Sequence, residues 1–144
     1  MRITTKGRYA LRAVIALARH SDGRTPVSIK RLSELEGLSP EFLEQIFYRL
    51  RKSGLVASVR GPGGGFLIAT PLSDISLKDI LSAAGEGLDV SPCEGDDGEP
   101  CARTAECVAR SVWKELDEHL DAYLSKRTLD GILKPGRRKP ARKH

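Results

Sequence analysis

Nothing in this 144-residue chain is apolar for long enough to cross a membrane. Its longest apolar run, residues 13–18, falls far short of the roughly 20 residues a spanning helix needs. No charged stretch followed by an apolar core opens the chain, so the expected location is the cytoplasm. Cysteine is scarce, and its three copies, Cys93, Cys101 and Cys107, fall within one short stretch. An odd number clustered in that way argues against a secreted disulfide framework and for metal or redox chemistry. The three histidines, His20, His119 and His144, are scattered, with no acid or nucleophile at a recognisable spacing, so an enzyme is not expected. A glycine run ending at Gly65 lacks the Gly-Lys-Ser/Thr through which a nucleotide loop reaches phosphates and metal; Phe66 and Leu67 stand there instead.

With 40% apolar residues the chain can bury one core, but hardly two. Its charge is unevenly spread. Residues 1–60 carry 12 Lys and Arg against 5 Asp and Glu, a balance of +7, and residues 61–133 carry 6 against 14, a balance of −8. The last eleven residues hold 6 basic side chains and no acid. A basic front is what a surface facing phosphates requires, because neutralising phosphates releases counterions. Solvated helix faces with an accidental asymmetry are the plainer account of the same distribution.

Local patterns predict mainly helices with one small β-hairpin. Thr4 or Thr5 caps a first helix running to about Ser21, with Tyr9, Ala13, Val14 and Leu17 on one face. Ser28 caps a short second helix that stops at Gly37. Ser39, Pro40 and Glu41 restart a helix at once, as N-cap, first helical residue and first-turn acid. In it Leu43, Ile46, Phe47 and Leu50 face the core, while Glu41, Glu44, Gln45, Arg49 and Lys52 stay outside. Gly54 ends that helix, and residues 55–59 and 66–69 form two strands around the glycine tip. Helix, turn, helix and glycine-tipped hairpin read as a winged helix-turn-helix, a DNA-binding arrangement; a plain tight hairpin is the alternative for the glycine tip alone. On the reading helix Gln pairs with adenine and Glu accepts from cytosine in a major groove, although Glu41 also simply complements the helix dipole.

Ser76 caps a fourth helix through Leu77, Ile80, Leu81 and Ala84, ending near Gly85 or Gly87. Residues 88–100, dense in Asp, Glu, Gly and Pro, read as an irregular loop. A long helix from about Ala105 to Arg127 carries Val108, Val112, Leu116, Leu120, Tyr123 and Leu124 as a stripe that needs a partner surface, either a second subunit or the first helix. The resulting division is a DNA-binding part over 1–86, a cysteine loop over 87–104, a long helix and short terminal helix over 105–133, and a disordered basic tail over 134–144.

Several spaced motifs agree in order with one family. Met1-Arg2-Ile3-Thr4-Thr5-Lys6-Gly7-Arg8-Tyr9-Ala10, Phe42-Leu43-Glu44-Gln45-Ile46-Phe47, Leu50-Arg51-Lys52-Ser53-Gly54-Leu55-Val56 and Ser58-Val59-Arg60-Gly61-Pro62-Gly63-Gly64-Gly65-Phe66 resemble the Rrf2 family of bacterial transcription regulators, the group of IscR, NsrR and CymR. The resemblance runs from Met1 to about Leu133. It implies a homodimer whose long C-terminal helix crosses to the other subunit through Val112, Leu116, Leu120 and Leu124. It implies binding to a palindromic operator in double-stranded DNA, with the segment from Glu41 to Gln45 in the major groove and Arg60 reaching the minor groove. The positions carried over as DNA-binding are Arg2, Ser39, Glu41, Phe42, Glu44, Gln45, Arg49, Arg51, Arg60, Gly63 and Gly64.

The spacing Cys93-x7-Cys101-x5-Cys107 resembles the cluster loop of the sensor branches, although its first interval is longer than in IscR. The resemblance implies an iron-sulfur cluster, 2Fe-2S in preference to 4Fe-4S, on these three thiolates. Cys107 is expected in the first turn of the long helix, where backbone amides and the dipole favour a thiolate. The fourth ligand departs from the family. Arg110 stands where IscR has its histidine, and Arg8 where other branches take an acid from the partner's first helix. His119, twelve residues past Cys107, lies roughly 18 Å along a straight helix. Glu94, Asp96, Asp97, Glu99, Glu106, a water or a small thiol remain as completions. A cluster-free DNA-binding regulator, controlled by thiol oxidation or a protein partner, is the alternative function.

Overall fold

The computed structural model describes residues 2–90, 99, 101–103 and 105–134. Their order is α1 (Thr5–His20), α2 (Ile29–Glu36), α3 (Pro40–Lys52), β1 (Val56–Val59), β2 (Gly65–Ile68), a 3-10 turn (Leu72–Asp74), α4 (Leu77–Ala83), α5 (Ala109–Lys126) and α6 (Leu129–Leu133). It is a mainly helical winged helix-turn-helix with a two-stranded antiparallel hairpin, followed by a long helix. Among the described residues no helix is long and apolar enough to cross a membrane.

Caps and periodicity explain the boundaries. Ser28 and Ser39 accept from Arg31 and Phe42 N–H groups, satisfying donors that the first helical turn leaves open. Gly37 ends α2 at φ 65°, a left-handed conformation that costs glycine little. Ser76 and Asp79 cap α4 reciprocally, each side chain taking the other's backbone N–H. Helix α1 differs from expectation: Thr4 occupies the N-cap position but makes no local cap bond.

One core holds α1 to α4, the hairpin and α6 together. Val14, Leu17, Leu32, Leu43, Phe47, Leu50, Ile75, Ile80 and Leu129 are its largest enclosed side chains. Each removes apolar surface from water, worth about 1.5–3 kcal/mol for a residue of that size. Small side chains at Ala10, Ala13 and Ala16 are buried along α1. The Phe47 and Phe66 rings lie 4.8 Å apart and tilted by 32°, fastening the hairpin to α3.

The hairpin register pairs Val56 with Ile68, Ala57 with Leu67, Ser58 with Phe66 and Val59 with Gly65, one residue inside the predicted strands at both outer ends. Val27 extends it, exchanging backbone hydrogen bonds with Phe66 at 2.9 and 3.0 Å. That exchange explains Gly65, where a Cβ would stand 2.2 Å from the Val27 carbonyl oxygen.

The long helix starts at Ala109, four residues later than expected, with Val108 at its N-cap position. Cys107 therefore precedes the helix rather than lying in its first turn; its carbonyl accepts from Arg110 N–H at 3.3 Å. No side-chain cap holds the start, and Val108 is 85% exposed, so nothing extends the helix backwards. α6 folds back beneath the core, where Leu129 N–H donates to Ile75 O at 2.8 Å. Lys134 is the C-cap of α6 and pairs with Asp130 at 3.6 Å, so the tail expected to be disordered from Lys134 loses its first residue to the fold; residues 135–144 lie outside the described residues.

Candidate nucleic-acid interface and cysteine loop

Three residues, Gly37 to Ser39, separate α2 from α3, and this short turn sets the two helices as a helix-turn-helix. Burying Leu43, Ile46, Phe47 and Leu50 turns the opposite face of α3 outward. Glu41, Glu44, Gln45, Tyr48 and Arg49 line an open groove along it. Glu41, Glu44 and Gln45 are exposed, as the sequence predicts.

Several candidates are already engaged within the chain. The Ser39 hydroxyl caps α3, and the Phe42 ring is half-buried against Tyr9, edge-on at 5.6 Å. Arg49 donates through Nη1 to the Ala84 carbonyl at 3.1 Å, so it braces α3 against the end of α4. Arg51 reaches Ser58 Oγ at 3.4 Å, making the end of α3 and the hairpin one continuous surface. Arg60 is exposed beside the tip, and Arg2 is exposed ahead of α1. At the tip Gly63 is exposed at φ 73°, while Gly64 spends its N–H on Gly61 O at 2.9 Å.

Tyr48 is the residue the sequence reading passed over. It is 50% exposed, with Lys52 Nζ 5.0 Å and the Arg51 guanidinium 5.7 Å from its ring centre. Its position on the polar side of the helical period was the signal available.

The stretch leading to the cysteines is held at two points. Glu86 accepts from the Thr4 hydroxyl, from Thr4 N–H at 3.1 Å and from Gly7 N–H at 2.9 Å, so it supplies the cap that α1 lacks locally. Those bonds, the Thr4 hydroxyl foremost, hold the Glu86 carboxyl below its usual range. Four residues on, Val90 N–H donates to Asp117 Oδ1 of α5 at 2.6 Å. Lys78 of α4 pairs with Asp121 of α5, which raises the lysine pKa.

Cys101 and Cys107 are both exposed; Cys93, with Glu94, Asp96 and Asp97, lies outside the described residues. Among the described residues no group of three or more His, Cys, Asp and Glu side chains is placed to hold a metal. Arg110 is exposed on the first turn of α5, and His119 is exposed far along it beside Glu115.

The apolar stripe of α5 divides in two. Val112, Trp113, Leu116 and Tyr123 are 55%, 41%, 40% and 57% exposed, whereas Leu124 is only 6% exposed within its own chain. Leu124 thus offers a partner little surface, contrary to its expected role, because α5 packs on α4. Leu120 is half-buried, and Trp113 was not anticipated.

Residues 3–135 match the family model described as "Rrf2: Iron-dependent Transcriptional regulator". The chain is 43% identical over 133 residues to the HTH-type transcriptional regulator IscR of Serratia proteamaculans, covering 92% of this chain and 79% of that one. Among solved structures, T. potens IscR superposes with a TM-score of 0.72 at 36% identity, covering 93% of this chain and 87% of that one. The global cysteine regulator CymR of B. subtilis superposes equally at 0.72, with 31% identity and coverage of 92% and 95%.

Proposed function

Because this chain belongs to the Rrf2 family of transcriptional regulators, we propose that it is a homodimer that reads a palindromic operator in double-stranded DNA under the control of an iron-sulfur cluster. The observation that carries the DNA half is the continuous surface of α3 and the hairpin, with Glu41, Glu44, Gln45 and Arg60 exposed on it. Glu44 and Gln45 suit base edges, and Arg60 suits a minor groove, narrow and negative, beside the site. Arg2 and Arg51 suit the phosphates that fix register. Two such heads related by a two-fold axis match a palindrome. The exposed Val112, Leu116 and Trp113 of α5 are the surface a second subunit would cover.

For the sensor half, Cys93, Cys101 and Cys107 form a donor set that fits a 2Fe-2S cluster, which thiolates ordinarily hold. When bound, the cluster would supply a reversible redox change and a sensitivity to oxidants. The chain's own residues would pass a change in the loop onwards: Val90 is tied to α5 through Asp117, and Glu86 to the start of α1. Arg110 offers no ligand in place of a histidine, which leaves the fourth position to an acid such as Glu99 or Glu106, a water or a small thiol. The likeness to CymR favours a second reading, cluster-free control through the exposed Cys101 and Cys107.

The deciding experiment is anaerobic purification with iron and sulfide counting and a visible spectrum, repeated for Cys93→Ala, Cys101→Ala and Cys107→Ala. Wild type is expected to carry iron and each variant to lose it. Iron retained in full by Cys93→Ala removes that residue from the site. Wild type that takes up no iron under these conditions puts thiol control first.

A further inference from the structure

We propose that Tyr48 is a specificity-determining residue of the reading surface, its ring contacting the C5-methyl of a thymine in the major groove. This rests on the DNA-reading proposal above and adds a base preference to it. Tyr48 is a large aromatic side chain half exposed on a helix face that is otherwise polar or charged. It follows Glu44 by four residues and Gln45 by three, so the three side chains share one stripe. They line one groove together with Glu41 and Arg49.

The groove's charges narrow what can enter it. Glu41 and Glu44 disfavour a phosphate at their end of the groove, and the cation that lines it, Arg49, already donates to the Ala84 carbonyl, so a base edge suits the groove better than the backbone. Each base pair presents donors and acceptors to the major groove, and the apolar feature among them is the thymine methyl. An aromatic ring beside two carboxylates has that methyl as its complement. Lys52 and Arg51 approach the ring from the C-terminal side of α3, at 5.0 and 5.7 Å from its centre, and such contacts hold an exposed ring in place. Four helical residues advance about 6 Å, close to two steps along a strand at about 3.4 Å each. The thymine is therefore expected one or two base pairs from the position read by Glu44.

Selection from random duplexes supplies the operator, and each thymine in it is then replaced singly by deoxyuridine, which removes only the methyl. Wild type is expected to lose roughly three- to fivefold in affinity at one thymine per half-site, the effect of uncovering one methyl group. Tyr48→Ser is expected to bind the thymine and uracil duplexes alike, and Tyr48→Phe to keep the difference. The assignment is overturned if wild type is indifferent to every methyl, or if Tyr48→Ser remains sensitive. It is also overturned if Tyr48→Phe loses sensitivity as fully as Ser, since the hydroxyl would then be the contact. A chain that selects no sequence at all overturns the DNA-reading proposal and this one with it; selective binding without a methyl response overturns Tyr48 alone.

Discussion

The oxygen that completes the first helical turn of α1 belongs to Glu86, although a threonine stands at the N-cap position. Gly7 is part of the arrangement, since a Cβ there would lie 2.6 Å from the Glu86 carboxylate. The carboxyl is held below its ordinary value of 4.5, so its contribution to stability is complete above that value and is lost as pH falls through the lower folded one. Glu86→Gln is expected to flatten the acid-side loss of stability in urea melts run from neutral pH downwards. Glu86→Ala is expected to cost about 1 kcal/mol at neutral pH, as for a lost helix cap. A Gln variant with the wild-type pH profile would deny the carboxylate this role. The caps at Ser28, Ser39 and Ser76 were legible in the sequence because donor and acceptor lie three residues apart. Glu86 was not, because its partners are 79 and 82 residues away and nothing local marks it. For Arg49 periodicity gave the exposed face that the structure shows, but not the Ala84 carbonyl to which it also donates.

Among the elements, α5 shows how far a periodic pattern carries. Spacing revealed an apolar stripe but could not tell which part of it meets the same chain. α4 and the segment after it take Leu124, leaving Val112, Trp113 and Leu116 open. Trp113 escaped notice because it lies one position off the stripe. Val112→Asp with Leu116→Asp is expected to leave the monomer folded, since both are exposed in it, while sedimentation shows a shift from dimer to monomer and operator affinity falls. A wild type that sediments as a monomer at working concentration would end this reading. The start of α5 was placed too early because the position where it begins carries Val108, with no capping side chain to mark it. The hairpin, by contrast, was read within a residue, its glycines and alternating apolar positions agreeing.

Across the whole molecule, the basic charge of residues 1–60 falls on the elements of the helix-turn-helix and the first strand of the hairpin, and much of the acid lies on α5 and the residues before it. Affinity for the operator is expected to fall steeply with salt, and Arg60→Ala to weaken binding by about 1–3 kcal/mol if the guanidinium reads a narrow groove. A variant that binds with unchanged affinity at every salt concentration would take Arg60 out of the interface. The winged fold was legible because each of its signals is local; the way residues 84–86 gather α1, α3 and α4 was not, being made of contacts between distant segments. That gathering bears on how the protein is made. The donors at Thr4 and Gly7 wait for a carboxylate 82 and 79 positions further along the chain. A chain synthesised only as far as α4 lacks the acceptor for those donors, so α1 is expected to complete its first turn late, after the segment that follows α4 has emerged.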